Sequence, residues 1–315
     1  MDKYTEQQID FLGKGALHVE DNRDYVFGAT APEPFDWNKG YINPCPFIPS
    51  FQGTSLSCVG QATMNLAKNA WFKSHGNLED FSARFPYCQI ALPAGGAYIR
   101  DGVDLLVKQG ICLNSALPSG QTETIMRDKT GLPEAQIKAK NYDIYGDVAY
   151  ASVSLNIDTL AAAARDNGAI IIGATGHNVG WSSPDLVPPA LGDGQPTWGH
   201  AVTIVGAQMR NGKKALKILN SWSEAWGENG YGYMYEDYMK WTMAAFVLTD
   251  NFIKPMFELL KTNTRPEQYV IINGKRFWVL NERVLADLQG VLKPVKTVTE
   301  AELLAYPDAG VLGGK

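Results

Sequence analysis

Apolar positions along the chain follow two different periods, and this divides its main part into a helical half and a β-rich half. From Ser57 to about Phe72, small and apolar side chains recur every three or four positions, which predicts a long helix. Shorter patterns of the same period predict helices over 101–109 and 158–166. Residues 119–147 show no sustained period, and we interpret them as a variable surface stretch.

From residue 148 onward, short apolar runs bounded by turn residues predict β-strands. These runs lie at 169–172, 201–205, 215–219 and 231–235. Asn211-Gly212 separates two of them and is typical of a tight hairpin turn. We therefore predict an α+β fold with a helical lobe over about 35–147, a β lobe over about 148–250, and a cleft between the lobes.

Residues 1–34 differ in pattern from this two-lobe core. They contain three basic and seven acidic side chains, so they carry most of the net negative charge of the whole chain. A short helix pattern ends at Gly13, and a Pro-rich linker covers 29–34. We interpret 1–34 as a separate N-terminal segment.

The C-terminal part of the chain, 251–315, is predicted to be a connector followed by a small module. The connector covers 251–264, and a hairpin pattern follows over 268–280, with its turn at Asn273-Gly274. A short helix is predicted over 282–288. The sequence does not identify a partner for this β-hairpin and helix module.

Composition excludes several classes of function. The 315 residues include 28 basic and 33 acidic side chains, for a net charge of −5, and no basic block marks a nucleic-acid interface. No apolar run approaches the ~18–20 residues of a membrane helix, and residues 1–12 are too charged for a secretory signal. We expect a monomer that binds neither nucleic acid nor membrane and stays inside the cell as synthesised, in the cytoplasm or a virion.

Cysteine and histidine are both scarce. The cysteines lie at positions 45, 58, 88 and 112, and the histidines at 18, 75, 177 and 200. Because no two cysteines have C-x-x-C spacing, a structural zinc site and a disulfide framework are both disfavoured. We expect no metal and no cofactor.

One combination of residues predicts covalent catalysis. Cys58 begins the long predicted helix, where the helix dipole favours a thiolate. His200, at the start of a strand in the other lobe, would form an ion pair with it and later protonate a leaving amine. Asn220 would orient the imidazole, with Trp222 shielding that bond from water. Gln52 and the Cys58 backbone N–H would bind an oxyanion.

At these positions the chain resembles the papain-like (C1 family) cysteine peptidases. Three motifs occur in the family's order: Gln52 six residues before Cys58, Gly199-His200-Ala201-Val202, and Asn220-Ser221-Trp222. Phe35-Asp36-Trp37 is similar to the start of a mature family enzyme, and the resemblance extends from about 35 to 248.

The resemblance implies a papain-like fold with a helical left lobe and a β-barrel-like right lobe. It also implies a cysteine endopeptidase that acts on peptides or proteins through an acyl-enzyme, with Cys58, His200, Asn220 and Gln52 as its catalytic residues. Gly95 and Gly96 would hold the substrate backbone as a short antiparallel strand. Gly199 and Trp222 would also contact substrate.

Two departures from the family pattern add expectations. Ser55 stands where many secreted members have a cysteine that is paired with one near the glycine pair, which favours a reduced protein of the bacterial or viral kind. Residues 1–34 are also too short for the family's helical propeptide domain. We expect them to form a short propeptide, or plug, that lies across the cleft of a zymogen.

Two other functions fit part of the pattern. A papain-like lobe pair without activity would serve as a binding or structural scaffold, with the C-terminal module as its functional part. A Cys–His cell-wall amidase would use Cys58 and His200, but it would not need the Asn220-Ser221-Trp222 string.

Overall fold

The computed structural model describes residues 14–19, 33–139, 149–189, 198–249, 258–264, 267–272, 275–279, 296–304 and 308–312. The chain divides into two compact units, Met1–Asp250 and Asn251–Lys315. The predicted helix ending at Gly13, most of the linker at 29–34, the turn at 273–274 and the predicted helix at 282–288 lie outside the described residues.

Helix α1 (Cys58–His75) lies at the centre of the first unit and is buried over most of its length. Small residues permit this, because a Cβ atom on Gly60 would lie 2.7 Å from both the Ala83 carbonyl oxygen and the Tyr87 Cβ. The helix ends at Gly76, whose φ of 74° is left-handed and whose N–H bonds the Phe72 carbonyl. It begins and ends within about three residues of the predicted bounds.

The described part of the first unit contains other helices, of which the two that follow α1 in the chain pack against it. These other helices are α2 (Arg84–Ile90), α3 (Ile99–Gln109), α4 (Glu123–Arg127), α5 (Leu132–Ala139) and α6 (Ile157–Asn167), with 3₁₀ turns at Asn178–Trp181 and Glu236–Trp241. Part of the stretch 119–147, interpreted from the sequence as a variable surface stretch, forms α4 and α5, which bury Met126, Ala135 and Ala139. Helices of five and eight residues are too short to show a clear period.

The second half of the first unit forms a seven-stranded antiparallel sheet. Its strands are β2 (Tyr41–Ile42), β4 (Ala149–Ser152), β5 (Ile170–Gly176), β6 (Trp198–Arg210), β7 (Lys213–Leu219), β8 (Tyr231–Tyr235) and β9 (Thr242–Thr249). They lie in the order β4-β9-β5-β6-β7-β8, and β2 pairs with β6. Asn211 and Gly212, with φ of 51° and 72°, make the predicted two-residue turn between β6 and β7.

Two large hydrophobic clusters stabilise the described part of this unit. One lies mainly among α1, α2 and α3 in the helical half. The other lies between α6 and the sheet, and it includes the buried rings of Trp181, Trp222 and Trp226. Cys58 belongs to the first cluster and Trp222 to the second, and His200 and Asn220 are also buried.

The second unit contains a five-stranded sheet. Its elements are β10 (Glu258–Lys261), β11 (Gln268–Ile272), β12 (Lys275–Val279), β13 (Lys296–Thr297), β14 (Asp308–Leu312) and α7 (Glu300–Leu304), with strand order β13-β10-β11-β12-β14. The hairpin of β11 and β12 matches the sequence prediction. The interpretation of 251–264 as a plain connector was wrong, because β10 pairs with β11 and buries Leu260 against Leu303.

Among the described residues, no helix combines the length and the apolar character needed to cross a membrane.

Candidate active site

Cys58 is the first residue of α1, and its side chain is completely buried. The preceding loop turns sharply at Gly53, whose φ is 59°. Within the loop, the Ser55 hydroxyl donates to the Gln52 carbonyl over 2.7 Å. The backbone N–H of Gln52 also donates to the Ser221 carbonyl, over 2.9 Å. The helix start is therefore tied to the chain that follows β7 in the β half.

His200 and Asn220 meet on the neighbouring strands β6 and β7. His200 Nε2 lies 2.8 Å from Asn220 Oδ1, which also accepts the Ser221 backbone N–H at 2.8 Å. Because Oδ1 is an acceptor in both bonds, Nε2 carries the proton of a neutral imidazole. Nδ1 has no hydrogen-bond partner within the described part of the chain. This is the tautomer in which Nδ1 can accept a proton from a thiol.

Aromatic rings enclose the imidazole of His200. The ring of Trp222 lies 4.8 Å from it at a tilt of 36°, and Trp181 meets it edge to face at 5.6 Å. The Trp181 indole N–H donates to the Tyr238 hydroxyl, which donates in turn to the Thr175 carbonyl. Trp181 was not identified as a site residue from the sequence, because nothing in its own string points to His200.

Gln52 lies between the Cys58 loop and the Asn220-Ser221-Trp222 string. Its Nε2 donates to the Ser55 carbonyl over 2.8 Å, and its Oε1 accepts the Ser221 hydroxyl at 2.6 Å. Its side chain is fully buried. The structure therefore brings Gln52 together with the residue next to Asn220.

Burial controls the protonation of both reacting groups. Removal from water raises the pKa of the Cys58 thiol to about 12, although nearby backbone N–H groups of Ala201 and Val59 oppose this rise. Burial lowers the pKa of His200 to about 4, opposed by its bond to Asn220. The helix dipole was expected to favour a thiolate, but here desolvation outweighs it. In this state the thiol and the imidazole are both in their neutral forms.

Residues 14–19 of the N-terminal segment cover the Cys58 thiol. A Cβ atom on Gly15 would lie only 2.5 Å from the Cys58 Sγ and 2.5 Å from the Leu56 carbonyl oxygen. Only glycine fits here, because real Cβ atoms do not approach other heavy atoms closer than 3.0 Å. The backbone of Gly15 thus lies directly against the candidate nucleophile.

Both walls of the cleft contact this segment. On one side β1 (Ala16–Leu17) pairs with β3 (Ala97–Tyr98), and the Ala97 N–H donates to the Gly15 carbonyl over 2.9 Å. On the other side, a Cβ atom on Gly199 would lie 2.5 Å from the Ala16 carbonyl oxygen. An extended stretch of chain therefore already fills the groove between the glycine pair and His200.

The direction of this strand is the reverse of the one expected for a substrate. β1 is parallel to β3, with Ala16 opposite Ala97 and Leu17 opposite Tyr98. The family resemblance implies an antiparallel substrate strand at the same place. Residues 14–19 thus occupy the groove with their peptide bonds reversed relative to a substrate.

The four predicted substrate contacts lie in two environments. Gly95, Gly96 and Gly199 border the groove, and Gly95 and Gly96 have φ of 89° and 71°, which side-chain-bearing residues rarely adopt. Trp222 is instead fully buried against His200. Met243 was missed by the sequence analysis; its Cε would lie 2.7 Å from a Cβ on Gly199.

The other thiols do not join the site. Cys45, Cys88 and Cys112 are buried and unpaired. In the described part of the chain, no group of three or more His, Cys, Asp or Glu side chains is arranged to hold a metal ion.

Comparison with curated proteins finds distant relatives that are proteases. Chymopapain from Carica papaya is 25% identical over 243 residues, which cover 73% of this chain and 63% of that protein. Cathepsin K from Gallus gallus is 26% identical over 232 residues, covering 69% and 61%. The matched region thus spans less than two thirds of these relatives' own length.

Solved structures show the same fold. Xylellain, a cysteine protease from Xylella fastidiosa, superposes with a TM-score of 0.65 at 22% identity, over 76% of this chain and 96% of that one. Procathepsin L 3 from Tenebrio molitor larval midgut superposes with a TM-score of 0.58 at 18% identity, over 78% of each chain. A family model described as papain family cysteine protease matches residues 31–249, more than half of the chain. With its two-lobe α+β fold and these three lines of similarity, this chain belongs to the papain family of cysteine proteases.

Proposed function

We propose that the protein is a cysteine endopeptidase made as a latent precursor. One observation carries the proposal: an extended peptide segment lies in the groove between Gly96 and Gly199, with its backbone against the Cys58 thiol. A groove that accepts main chain on both sides of a nucleophile suits cleavage within a polypeptide. The orientation of His200 by Asn220 supports the same chemistry.

The proposed reaction starts when residues 14–19 leave the groove and water returns to the site. Resolvation lowers the cost of charge, so the Cys58 proton moves to His200 Nδ1 and leaves a thiolate. The thiolate attacks a peptide carbonyl, and the oxyanion is held by the Cys58 backbone N–H and the Gln52 amide. His200 then protonates the leaving amine, and water attacks the acyl-enzyme thioester with His200 as base.

Latency follows from the same contacts. While residues 14–19 are docked, Cys58 and His200 are both fully buried and their pKa values are shifted toward the neutral forms. The docked strand also runs parallel to β3, so its carbonyls meet the thiol in the wrong direction. We infer that this part of the N-terminal segment blocks substrates without being a good substrate itself.

The two alternative functions, a non-catalytic scaffold and a Cys–His amidase, explain fewer features of the site. A non-catalytic scaffold gives no reason for a peptide groove that ends at a thiol beside an oriented histidine. A Cys–His amidase does not need Asn220, whereas here Asn220 Oδ1 lies 2.8 Å from His200 Nε2 in a water-excluded pocket.

The proposal is tested by incubating the purified full chain with an unstructured protein and sequencing the fragments by mass spectrometry. We expect new termini inside the substrate, and their formation should stop when a thiol-directed electrophile is added. Fragments that form equally fast with the thiol blocked would contradict the proposal.

Substitution of the different catalytic residues should lower the rate of peptide hydrolysis by different factors. His200→Ala should be almost as damaging as loss of the nucleophile, because the two side chains act as one unit. Gln52→Ala should lower kcat by about 10²-fold, as for other oxyanion donors, and Asn220→Ala should cost less than His200→Ala because it only orients the ring. Steady-state kinetics of the three variants checks this order. An Asn220→Ala loss equal to that of His200→Ala would refute the orienting role.

Specificity should depend on the groove wall beside His200. Gly199 offers no charge and no bulk there, and Met243 adds an apolar surface against it. We therefore expect large apolar or aromatic side chains to be preferred over basic ones at the second substrate residue before the cleaved bond. A positional peptide library measures this, and a preference for Arg or Lys at that position would show the assignment to be wrong.

A further inference from the structure

A single carboxylate joins the loop before Cys58 to the glycine pair. Glu123 Oε2 accepts the backbone N–H of Leu56, two residues before Cys58, at 2.8 Å. Glu123 Oε1 accepts the Tyr87 hydroxyl at 2.7 Å, and that hydroxyl oxygen accepts the backbone N–H of Gly96 at 3.0 Å. Three hydrogen bonds thus run from the loop before the nucleophile to the glycine pair.

The backbone around Glu123 is fixed on the same loop. The Thr54 N–H donates to the Gln121 carbonyl over 2.6 Å, and Gly53 packs so closely on Gln121 that a Cβ atom would not fit. Thr122 caps α4 by accepting the Ile125 N–H, which places Glu123 at the first helical position. The carboxylate therefore reaches Leu56 from a rigid base.

We propose that Glu123 is a positioning residue that sets the spacing between the Cys58 loop and the glycine pair. This rests on the proposed peptidase function. The Ser55 hydroxyl is bonded within its own loop, to the Gln52 carbonyl and to Ser57. The Glu123–Tyr87 pair joins this loop to the glycine pair through hydrogen bonds.

The chemistry of the bonds requires a carboxylate at this position. Leu56 can only donate through its N–H, and the Tyr87 hydroxyl must donate its proton to Glu123 because its oxygen already accepts from Gly96. Two acceptor oxygens on one side chain are therefore needed. Glutamine has one acceptor oxygen and an NH2 group, so Glu123→Gln cannot accept from both Leu56 and Tyr87, although it keeps nearly the same size.

The distance between the Cys58 loop and the glycine pair matters because a substrate would contact both at once. Its backbone binds the glycine pair, while its scissile carbonyl must meet the Cys58 thiolate and the oxyanion donors that begin at Gln52. A misplacement of about 1 Å between such groups can cost about 10²-fold in rate. A residue that only stabilises the fold would lower the melting temperature and leave the kinetics of the folded fraction unchanged.

The test uses the full chain with Glu123→Gln, Tyr87→Phe, the double variant, and Glu134→Gln as a matched control on the exposed face of α5. Rates are divided by the number of active sites titrated with an epoxysuccinyl peptide, so that latent or unfolded molecules do not count. We expect Glu123→Gln and Tyr87→Phe each to lower kcat/KM between about 10- and 10²-fold. The double variant should be no worse than the worse single variant, because the two side chains act through one connection. Glu134→Gln should match the wild type.

Wild-type kcat and KM in folded Glu123→Gln would overturn the assignment, as would fully additive losses in the double variant. If Glu123→Gln does not fold, Tyr87→Phe decides alone, and unchanged kinetics in that variant overturns it. An active wild type with an unaffected Glu123→Gln contradicts only this assignment. An inactive wild type contradicts the proposed function itself.

Discussion

The Cys58→Ala protein is expected to hydrolyse no measurable peptide while keeping nearly the same melting temperature. Without the sulfur there is no nucleophile to form the thioester, and the loss should reach about 10⁴-fold or more in kcat, as when the nucleophile of a covalent hydrolase is removed. The fold should tolerate the change because alanine is small, apolar and favourable in a helix. Peptide turnover and thermal unfolding are the two measurements.

Cys45→Ala is the matched control for this prediction. Cys45 is also buried and unpaired, but it lies outside the catalytic group, with its Sγ 4.0 Å from the Lys68 carbonyl. It should lose a little stability and no activity. Turnover retained by Cys58→Ala, or a loss that follows unfolding, would contradict the role of Cys58.

Gly15→Val is expected to turn the latent full chain into one that is active from the start. The valine Cβ would lie 2.5 Å from Cys58 Sγ and from a backbone carbonyl, and neither can move away cheaply. The segment must therefore leave the groove, which returns water to Cys58 and His200 and opens the glycine pair to substrate. We expect the initial rates of peptide hydrolysis and of Cys58 alkylation to rise about tenfold or more. Weakening the docking free energy of the segment by ~1.4 kcal/mol changes its docking equilibrium tenfold.

Val19→Ala provides the control within the same segment. The Val19 side chain is 56% exposed, so its loss should leave the segment docked and the lag in activity unchanged. Removal of residues 1–34 should act like Gly15→Val if the shortened chain folds. Equal initial rates for the wild type and Gly15→Val, with the N-terminus intact in both, would show that residues 14–19 do not control access.

The sequence predicted the elements that have a strong local signal. β8 has the predicted bounds, and Asn211-Gly212 forms the predicted turn. Helix α1 begins at Cys58, where a glycine-containing loop gives way to apolar residues at helical spacing. The grouping of Cys58, His200 and Asn220 came from motif order, since each residue alone is more often a packed core residue.

Features set by tertiary contacts could not be predicted in this way. Glu123 lies in a stretch without periodicity, and its role depends on Leu56 and Tyr87, which are 67 and 36 residues away in sequence. The direction of β1 against β3 has no local sequence signal. The high pKa of the Cys58 thiol also escaped prediction, because it depends on how completely the folded chain buries the sulfur and not on the helix start alone.

We infer that Cys58 is the nucleophile of a peptidase and that the protein's own N-terminal segment controls access of substrates to it. The most direct measurement is intact-mass analysis of the full chain during incubation with an epoxysuccinyl peptide, followed by peptide mapping and a parallel activity assay. We predict one adduct per chain, located on Cys58, with loss of activity in proportion to labelling and with faster labelling in Gly15→Val. Labelling spread over Cys45, Cys88 and Cys112, or activity that survives complete modification of Cys58, would contradict the account.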